Sequence, residues 1–249
     1  MDNATIGITT RDLSKRLKQT QALSGVSLSF DAGGMHGLIG PEGAGKTTLL
    51  RTLIGLLRPD RGEIDYTSDG RSVPLAEIRG RIAYMPQQQS LYADLSVAEH
   101  LDFFRALYEL PAAEYQGRRR ELLHMTRMEQ FTGRPAGKLS GGMYKKLGLM
   151  CALLRSPRAV ILDEPTNGVD PISRREFWEL LYGLSARKIL IIIATSYMDE
   201  AERCSRVHLI ESGQRLAEGE PRALLKEEGV DDFDAFFIKR QTDVSHGQR

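Results

Sequence analysis

A glycine-rich segment between an apolar run and a helical pattern constrains the fold more than any other feature of the chain. Residues 35–39 read Met-His-Gly-Leu-Ile and predict a short buried strand, and residues 40–47 read Gly-Pro-Glu-Gly-Ala-Gly-Lys-Thr. Leucine and isoleucine then recur at helical spacing from residue 49 to residue 57. A strand, a G-x-x-x-x-G-K-[ST] loop and a helix, in this order, are typical of a phosphate-binding loop in an α/β domain.

We call residues 40–48 the phosphate loop. Gly43 and Gly45 allow the backbone to curl so that successive amide groups point inward, where the positive end of the following helix adds to them. We expect Lys46 to reach the β- and γ-phosphates, and the Thr47 hydroxyl to hold Mg²⁺. The candidate binding residues are Gly40, Pro41, Glu42, Gly43, Ala44, Gly45, Lys46, Thr47 and Thr48. For this loop alone, a plain glycine turn before a helix is the alternative.

Two neighbouring carboxylates follow a second apolar run. Residues 159–162 read Ala-Val-Ile-Leu, which is typical of a strand buried on both faces, and Asp163 and Glu164 come next. Open α/β sheets bind ligands at the carboxyl edge of their strands. We therefore expect Asp163 to hold Mg²⁺ and Glu164 to orient or deprotonate an attacking water. A solvated turn is the alternative for an isolated acidic pair, but the phosphate loop upstream favours a nucleotide site.

The remaining pattern predicts how the chain is organised. Residues 188–195 predict another buried strand, and strands that alternate with helices predict parallel pairing and an α/β class. Residues 88–155 read as a helical insertion, within which Ser96 and Glu99 match a capping box. We expect one domain over residues 1–239, followed by a polar tail over residues 240–249.

Composition excludes several classes of protein. Lys and Arg total 34 and Asp and Glu total 33, so the chain lacks the positive field of a dedicated nucleic-acid binder. Two cysteines, Cys151 and Cys204, cannot form a disulfide framework and predict free buried thiols. No apolar stretch approaches the ~20 residues that cross a bilayer, and the N-terminus lacks the layout of a secretory signal. We expect a cytoplasmic chain whose membrane role, if any, comes through a partner.

Two more motifs occur in the chain after the phosphate loop: residues 139–143 read Leu-Ser-Gly-Gly-Met, and residues 162–165 read Leu-Asp-Glu-Pro. Together with the phosphate loop, they suggest a known family. From about residue 6 to residue 238 the chain resembles the nucleotide-binding subunit of an ATP-binding-cassette (ABC) transporter. Met143 stands where the family usually has Gln, and a Met there is similar to the branch that exports drugs and antibiotics. The resemblance implies a P-loop NTPase core with a parallel sheet, an antiparallel β edge and an inserted helical subdomain.

The resemblance also implies an activity and its partners. An ATPase that uses ATP and Mg²⁺ would drive a multi-span membrane permease, so that the chain lies on the inner face of the cell membrane. Two ABC domains, identical or different, would pack head to tail. Each ATP would lie between the phosphate loop of one domain and Ser140, Gly141 and Gly142 of the other. Leu91, Tyr92 and Leu95 are candidates for docking the permease, with subdomain core as the alternative.

Two further sites take their roles from the resemblance. Gln87 corresponds to a glutamine whose amide reaches Mg²⁺ and the attacking water, although Gln88 and Gln89 follow it directly. Residues 167–170 (Asn-Gly-Val-Asp) resemble the loop that couples the two sites, and Asp170 also suits a helix N-cap.

At two positions the chain departs from the family pattern. Ser196 takes the place of a catalytic switch histidine, and Leu17 takes the place of an aromatic residue that stacks on adenine. A serine hydroxyl lacks the charge and reach of imidazole, so we expect ATP to bind but to be hydrolysed slowly, or with help from a partner's site. The alternative is that Glu164 and water suffice. His208 lies on an apparent strand and reads as structural.

Three functions are compatible with the sequence. The first is an energy-coupling subunit of an exporter. The second is a hydrolysis-impaired regulatory cassette that pairs with a competent sister domain, which Ser196 and Leu17 favour. The third is a soluble ABC ATPase that acts on DNA or ribosomes, which the near-neutral charge disfavours.

Overall fold

The computed structural model describes residues 4–88 and 91–246, which form two β-sheets and eight α-helices. One sheet has the order β2-β1-β4-β5, with β1 Ile6–Leu17, β2 Thr20–Phe30, β4 Arg61–Ser68 and β5 Arg71–Val73. The other has the order β10-β9-β3-β8-β7-β6, with β3 Met35–Ile39, β6 Ile82–Met85, β7 Ala159–Asp163, β8 Leu190–Thr195, β9 Arg206–Glu211 and β10 Gln214–Gly219. The helices are α1 Lys46–Leu53, α2 Leu75–Ile78, α3 Val97–Leu107, α4 Ala112–Thr126, α5 Gly141–Leu153, α6 Pro171–Ser185, α7 Pro221–Glu228 and α8 Phe233–His246.

The six-stranded sheet is parallel except at one edge. Strands β6, β7, β8, β3 and β9 pair in parallel, whereas β10 pairs antiparallel with β9. The other sheet is antiparallel throughout. The predicted parallel core with an antiparallel β edge is therefore confirmed.

The continuous apolar sequence of β8 is explained by burial on both faces. Ile191 and Ile193 belong to a core cluster with α5 and α6, which contribute Leu147 and Phe177. Leu190, Ile192 and Ala194 belong to a second cluster with α1 and the antiparallel sheet. Since alternate strand residues point to opposite faces, a strand covered on both sides must be apolar at every position.

Helix α1 is shorter than its leucine pattern suggests. The apolar spacing extends to Leu57, but the helix ends at Leu53 and Gly55 has a positive φ of 72°. The amide groups of Leu56 and Leu57 both donate to the carbonyl oxygen of Arg51. A left-handed glycine thus closes the helix one turn earlier than periodicity predicts.

The segment between β6 and β7 contains α3, α4 and α5, where the sequence predicts a helical insertion. The capping box at the start of α3 is present: the Ser96 amide donates to Glu99 Oε2 at 2.7 Å, and the Glu99 amide donates to Ser96 Oγ at 3.2 Å. Asp170 likewise caps α6, whose first residue is Pro171. These local predictions hold because each depends on residues within one turn of the helix.

The C-terminal segment differs from the expected loose tail. Helix α8 begins at Phe233 and continues to His246, so the backbone is helical well past residue 240. Phe233, Phe236 and Phe237 are buried and anchor its first turns. Once a helix is anchored, each further residue adds a backbone hydrogen bond, so polar composition does not end it. No helix in the described residues is long and apolar enough to cross a bilayer.

Candidate nucleotide site

The phosphate loop joins β3 to α1 and packs closely against two other segments. Gly45 is the N-cap of α1 with a positive φ of 101°, and a Cβ atom there would collide with the carbonyl oxygen of Ala22 on β2. A Cβ atom on Gly40 would collide with the carbonyl oxygen of Ile210 on β9. The Gly213 amide, in the turn after β9, donates to the Ala44 carbonyl at 3.0 Å. Neighbouring strands therefore fix the path of the loop, and glycine is required where they approach most closely.

Other loop residues differ in exposure. Ala44 and Thr48 are buried, Pro41 is half-buried, and Glu42 is exposed. Nothing lies within 4 Å of a Cβ atom built on Gly43, whose φ is 78°. Gly43 therefore provides conformational freedom at the open side of the loop, and Gly45 provides space at its packed side.

Lys46 lies at the centre of the site with its ammonium group enclosed. Its Nζ donates to the carbonyl oxygens of Gly40 at 2.7 Å and Pro41 at 2.9 Å, and to Ser196 Oγ at 2.9 Å. Glu164 Oε1 is 3.4 Å away, and the Lys46 side chain is only 6% exposed. Burial lowers the pKa of Lys46, while the charge of Glu164 opposes that shift.

Asp163 lies directly opposite the start of α1. Its Oδ1 accepts a hydrogen bond from Thr47 Oγ1 at 3.0 Å, and its Oδ2 accepts one from the Tyr84 hydroxyl at 3.1 Å. Burial raises the pKa of Asp163, and these two hydrogen bonds oppose the shift. A hydroxyl and a carboxylate side by side are hard oxygen ligands and fit Mg²⁺.

Tyr84 is a site residue that the sequence analysis did not identify. In the β6–β7 register, Met85 lies opposite Leu162, which places Tyr84 one residue before the end of β6. Burial raises the pKa of Tyr84 to about 12, so its hydroxyl remains a donor toward Asp163. Only the strand register reveals this contact, because the two residues are 79 positions apart.

Glu164 and Ser196 contact each other directly. The Ser196 hydroxyl donates to Glu164 Oε1 at 2.7 Å, and Glu164 is 6% exposed. The Glu164 backbone has a positive φ of 50°, and its amide donates to the Ala194 carbonyl at 2.9 Å. A non-glycine residue held in the left-handed region costs energy and is over-represented at functional sites. Sequence reasoning placed both residues at the site but did not predict that they bond.

Gln87 follows β6 and lies beside the same edge of the sheet. Both Gln87 and Gln88 are exposed, and Gln89 lies outside the described residues. The Gln87 carbonyl accepts from Lys145 Nζ at 3.3 Å, and the same ammonium group lies 3.5 Å from the Glu164 carbonyl. Burial lowers the pKa of Lys145. This lysine, which the sequence analysis missed, links α5 to the segments that carry Gln87 and Glu164.

The Ser-Gly-Gly segment is placed differently from the other candidates. Ser140 is the N-cap of α5, with its Oγ accepting from the Met143 amide at 3.3 Å, and Gly141 is exposed. A Cβ atom on Gly142 would collide with Ser173 on α6. Among the described residues, no hydrogen bond joins this segment to the phosphate loop. Within one chain, therefore, the segment packs on α6 and is separate from the Lys46 centre.

Comparison with known proteins decides the family. Residues 23–167 match the family described as "ABC transporter". The chain belongs to the ABC transporter family. The predicted family and fold are therefore confirmed, while the roles of the individual residues stay predictions.

Relatives of this ABC chain include transporter subunits from two organisms. It is 43% identical over 219 residues to "Probable multidrug ABC transporter ATP-binding protein YbhF" of Escherichia coli (strain K12), covering 87% of this chain and 38% of that protein. It is 39% identical over 219 residues to "Nod factor export ATP-binding protein I" of a Burkholderia lata strain, covering 88% of this chain and 72% of that protein. The chain thus spans well under half of the length of YbhF.

A solved structure supports the same assignment. The structure titled "Structure of ATP binding subunit of ABC transporter" is 31% identical, has a TM-score of 0.79, and is aligned over 93% of this chain and 98% of its own. The dimeric cassette MJ0796 is 23% identical with a TM-score of 0.74, a likeness that shows the fold alone.

Proposed function

We propose that this ABC chain binds ATP with Mg²⁺ and hydrolyses it to drive export through a separate membrane subunit. The observation that carries the proposal is the convergence of Lys46, Thr47, Asp163 and Glu164 at one edge of the sheet. Lysine and loop amides suit phosphate oxygens, paired oxygen ligands suit Mg²⁺, and a neighbouring carboxylate suits an attacking water.

The proposed chemistry assigns one task to each residue. Lys46 exchanges contacts with loop carbonyls for contacts with phosphate oxygens, which a flexible ammonium with three donors can do. Thr47 and Asp163 hold Mg²⁺, with Gln87 as a third candidate ligand, and the ion neutralises phosphate charge when bound. Glu164 orients the attacking water or accepts its proton.

A second ABC domain would complete the site. The start of α5, with Ser140 and Gly141 exposed, combines free amide groups with the positive end of a 13-residue helix, which suits an anion. Since this segment is separate from the phosphate loop of its own chain, we infer that it faces the nucleotide bound by another copy or by a sister domain.

An apolar groove beside Gln87 supports a membrane partner. A cavity of about 240 Å³ is lined by Met85, Leu91, Phe104 and Tyr108 among others. Exposed apolar side chains flank this region, with Leu107 61% and Tyr92 56% exposed. We propose that a permease segment docks here and holds the chain at the inner face of the cell membrane. The names of the two relatives favour an export system.

Lys46→Ala and Glu164→Gln test the proposed function. The Lys46 variant should lose ATP binding, measured by calorimetry with Mg²⁺. The Glu164 variant should still bind ATP but turn it over about 10²–10⁴-fold more slowly, the usual contribution of a general base. Lys226→Ala, at an exposed lysine on α7, is the matched control. Equal binding by the Lys46 and Lys226 variants would reject the proposed site.

Ser196 favours a second candidate function, a regulatory cassette that binds ATP but depends on a competent sister domain. Its hydroxyl donates to Glu164 and accepts from Lys46, but it is uncharged and so cannot offer a phosphate the positive charge that an imidazolium would. Single-turnover hydrolysis by the chain alone and with a sister domain separates the two functions. Rapid hydrolysis by the chain alone would exclude the regulatory function.

A further inference from the structure

A buried carboxylate joins the two loops that carry Glu164 and Ser196. Glu200 lies in the short 3-10 helix Met198–Arg203 after β8 and has no exposed surface. Its Oε1 accepts three hydrogen bonds from residues that follow β7: Thr166 Oγ1 at 2.7 Å, Arg174 Nε at 2.8 Å and Trp178 Nε1 at 3.0 Å. A buried carboxylate is costly unless a cation and hydrogen bonds meet it. Here the Arg174 guanidinium and two neutral donors meet Oε1, while Oε2 is buried without a hydrogen-bond partner among the described residues.

Arg174 extends the same junction toward Ser196. Its Nη2 donates to both carboxylate oxygens of Asp199, at 2.7 and 2.8 Å. Its guanidinium lies 4.5 Å from the centroid of the Tyr197 ring, and Tyr197 follows Ser196 directly. We call Arg174, Tyr197, Asp199 and Glu200 the Arg174 clamp. A planar guanidinium can bond two carboxylates and stack on a ring at once, which a lysine cannot do.

The clamp spans the elements on either side of the proposed catalytic contact. Arg174 is in the first turn of α6, which follows the loop after Glu164, whereas the other three members all lie within four residues after Ser196. The 2.7 Å contact between Ser196 Oγ and Glu164 Oε1 lies between these two segments. Within residues 4–88 and 91–246, no hydrogen bond joins the clamp directly to the phosphate loop. An indirect link runs through Ser196 Oγ, which accepts from Lys46 Nζ at 2.9 Å, but Lys46 is also held by the Gly40 and Pro41 carbonyls of its own loop.

We propose that Arg174 is a positioning residue for ATP hydrolysis. It fixes the loop of Ser196 relative to Glu164, so that it sets the rate of the chemical step without setting the affinity for ATP. This inference rests on the proposed function. A clamp that served stability alone would change the free energy of unfolding but would not change kcat of the folded protein.

Arg174→Met and Arg175→Met form a matched pair on adjacent residues, because Arg175 is exposed and lies outside the clamp. Steady-state ATP hydrolysis by the full chain, normalised to the folded fraction, should give a kcat about tenfold or more lower for the Arg174 variant. Displacements near 1 Å at a catalytic group can cost about 10²-fold. The KM of the Arg174 variant for ATP should stay within about twofold of the wild-type value. Both kcat and KM of the Arg175 variant should also stay within about twofold of wild type.

The single tryptophan of the sequence provides a spectroscopic readout of the clamp. Trp178 donates to Glu200 at 3.0 Å, so its emission should shift in the Arg174 variant and stay unchanged in the Arg175 variant. If Arg174→Met does not fold, Asp199→Asn decides instead, because the Asp199 side chain is 61% exposed and Glu200 keeps its partners. A kcat about threefold lower at constant KM then supports the inference, and an unchanged kcat overturns it.

The outcomes separate this inference from the proposed function. Measurable turnover by the wild-type chain, with equal kcat values for the Arg174 and Arg175 variants, overturns the clamp alone. A fall in kcat matched by a rise in KM also overturns it, because the clamp would then act on binding. No turnover by the wild-type chain, alone or with a sister domain, removes the proposed hydrolysis and this inference with it.

Discussion

Replacement of Gly45 by alanine tests whether close packing positions the phosphate loop. Two separate costs follow from the structure. An L-residue in the left-handed region costs about 1–2 kcal/mol, and Gly45 has a φ of 101°. The new methyl would also lie far inside the about 3.3–3.6 Å at which carbon and carbonyl oxygen meet, because the Ala22 carbonyl faces it directly. Such overpacking costs about 1–3 kcal/mol.

Gly70→Ala separates these two costs. Gly70 lies in the turn between β4 and β5 with a similar positive φ of 76°, but nothing lies within 4 Å of its added Cβ. The left-handed backbone destabilises both variants, whereas the collision destabilises only Gly45→Ala. Urea unfolding should therefore place Gly45→Ala about 1–3 kcal/mol below Gly70→Ala in free energy of unfolding.

Nucleotide binding provides the second readout of the same pair. Relief of the collision requires the loop to move away from β2, which moves its amide groups and Lys46 together. We expect the affinity for Mg²⁺-ATP, measured by calorimetry, to fall at least about tenfold for Gly45→Ala, or about 1.4 kcal/mol, and to stay unchanged for Gly70→Ala. Equal stabilities and equal affinities for the two variants would refute the claim that β2 positions the loop.

Three further predictions concern side chains at the site. Ser196→His should raise ATP turnover by restoring a longer, chargeable group, and an unchanged steady-state rate would contradict this. Burial raises the pKa of Asp163, so its contribution to stability is present below the ordinary value of 3.8 and is lost as pH rises through the higher folded pKa. Without Mg²⁺, the free energy of unfolding of the wild type should therefore fall as pH rises through the folded pKa of Asp163. Asp163→Asn has no proton to release there, so its free energy of unfolding, measured by urea unfolding at each pH, should fall less. Glu42→Asn should leave ATP affinity nearly unchanged, because Glu42 is exposed; a tenfold gain in calorimetry would show that the carboxylate faces the phosphates.

Features that depend on adjacent residues could be predicted from the sequence. The strand–loop–helix around Lys46, the buried β7 before Asp163 and the caps at Ser96 and Asp170 all occur where their patterns place them. Each is determined by periodicity or by hydrogen bonds within one turn, so distant parts of the chain have little influence on it. The end of α1 is an exception, because apolar spacing continued past a helix-ending glycine.

By itself, the sequence determined the family and the identity of the main phosphate and metal candidates, since these lie in two contiguous motifs. Only the tertiary structure decided how the candidates meet. Tyr84 reaches Asp163 through the register of β6 and β7, Ser196 bonds Glu164, and Glu200 accepts from Arg174. These pairs are separated by 79, 32 and 26 residues, and strand order and packing of both sheet faces bring them together. A local sequence pattern does not indicate which distant residues will come into contact, because the arrangement of the whole sheet sets those contacts.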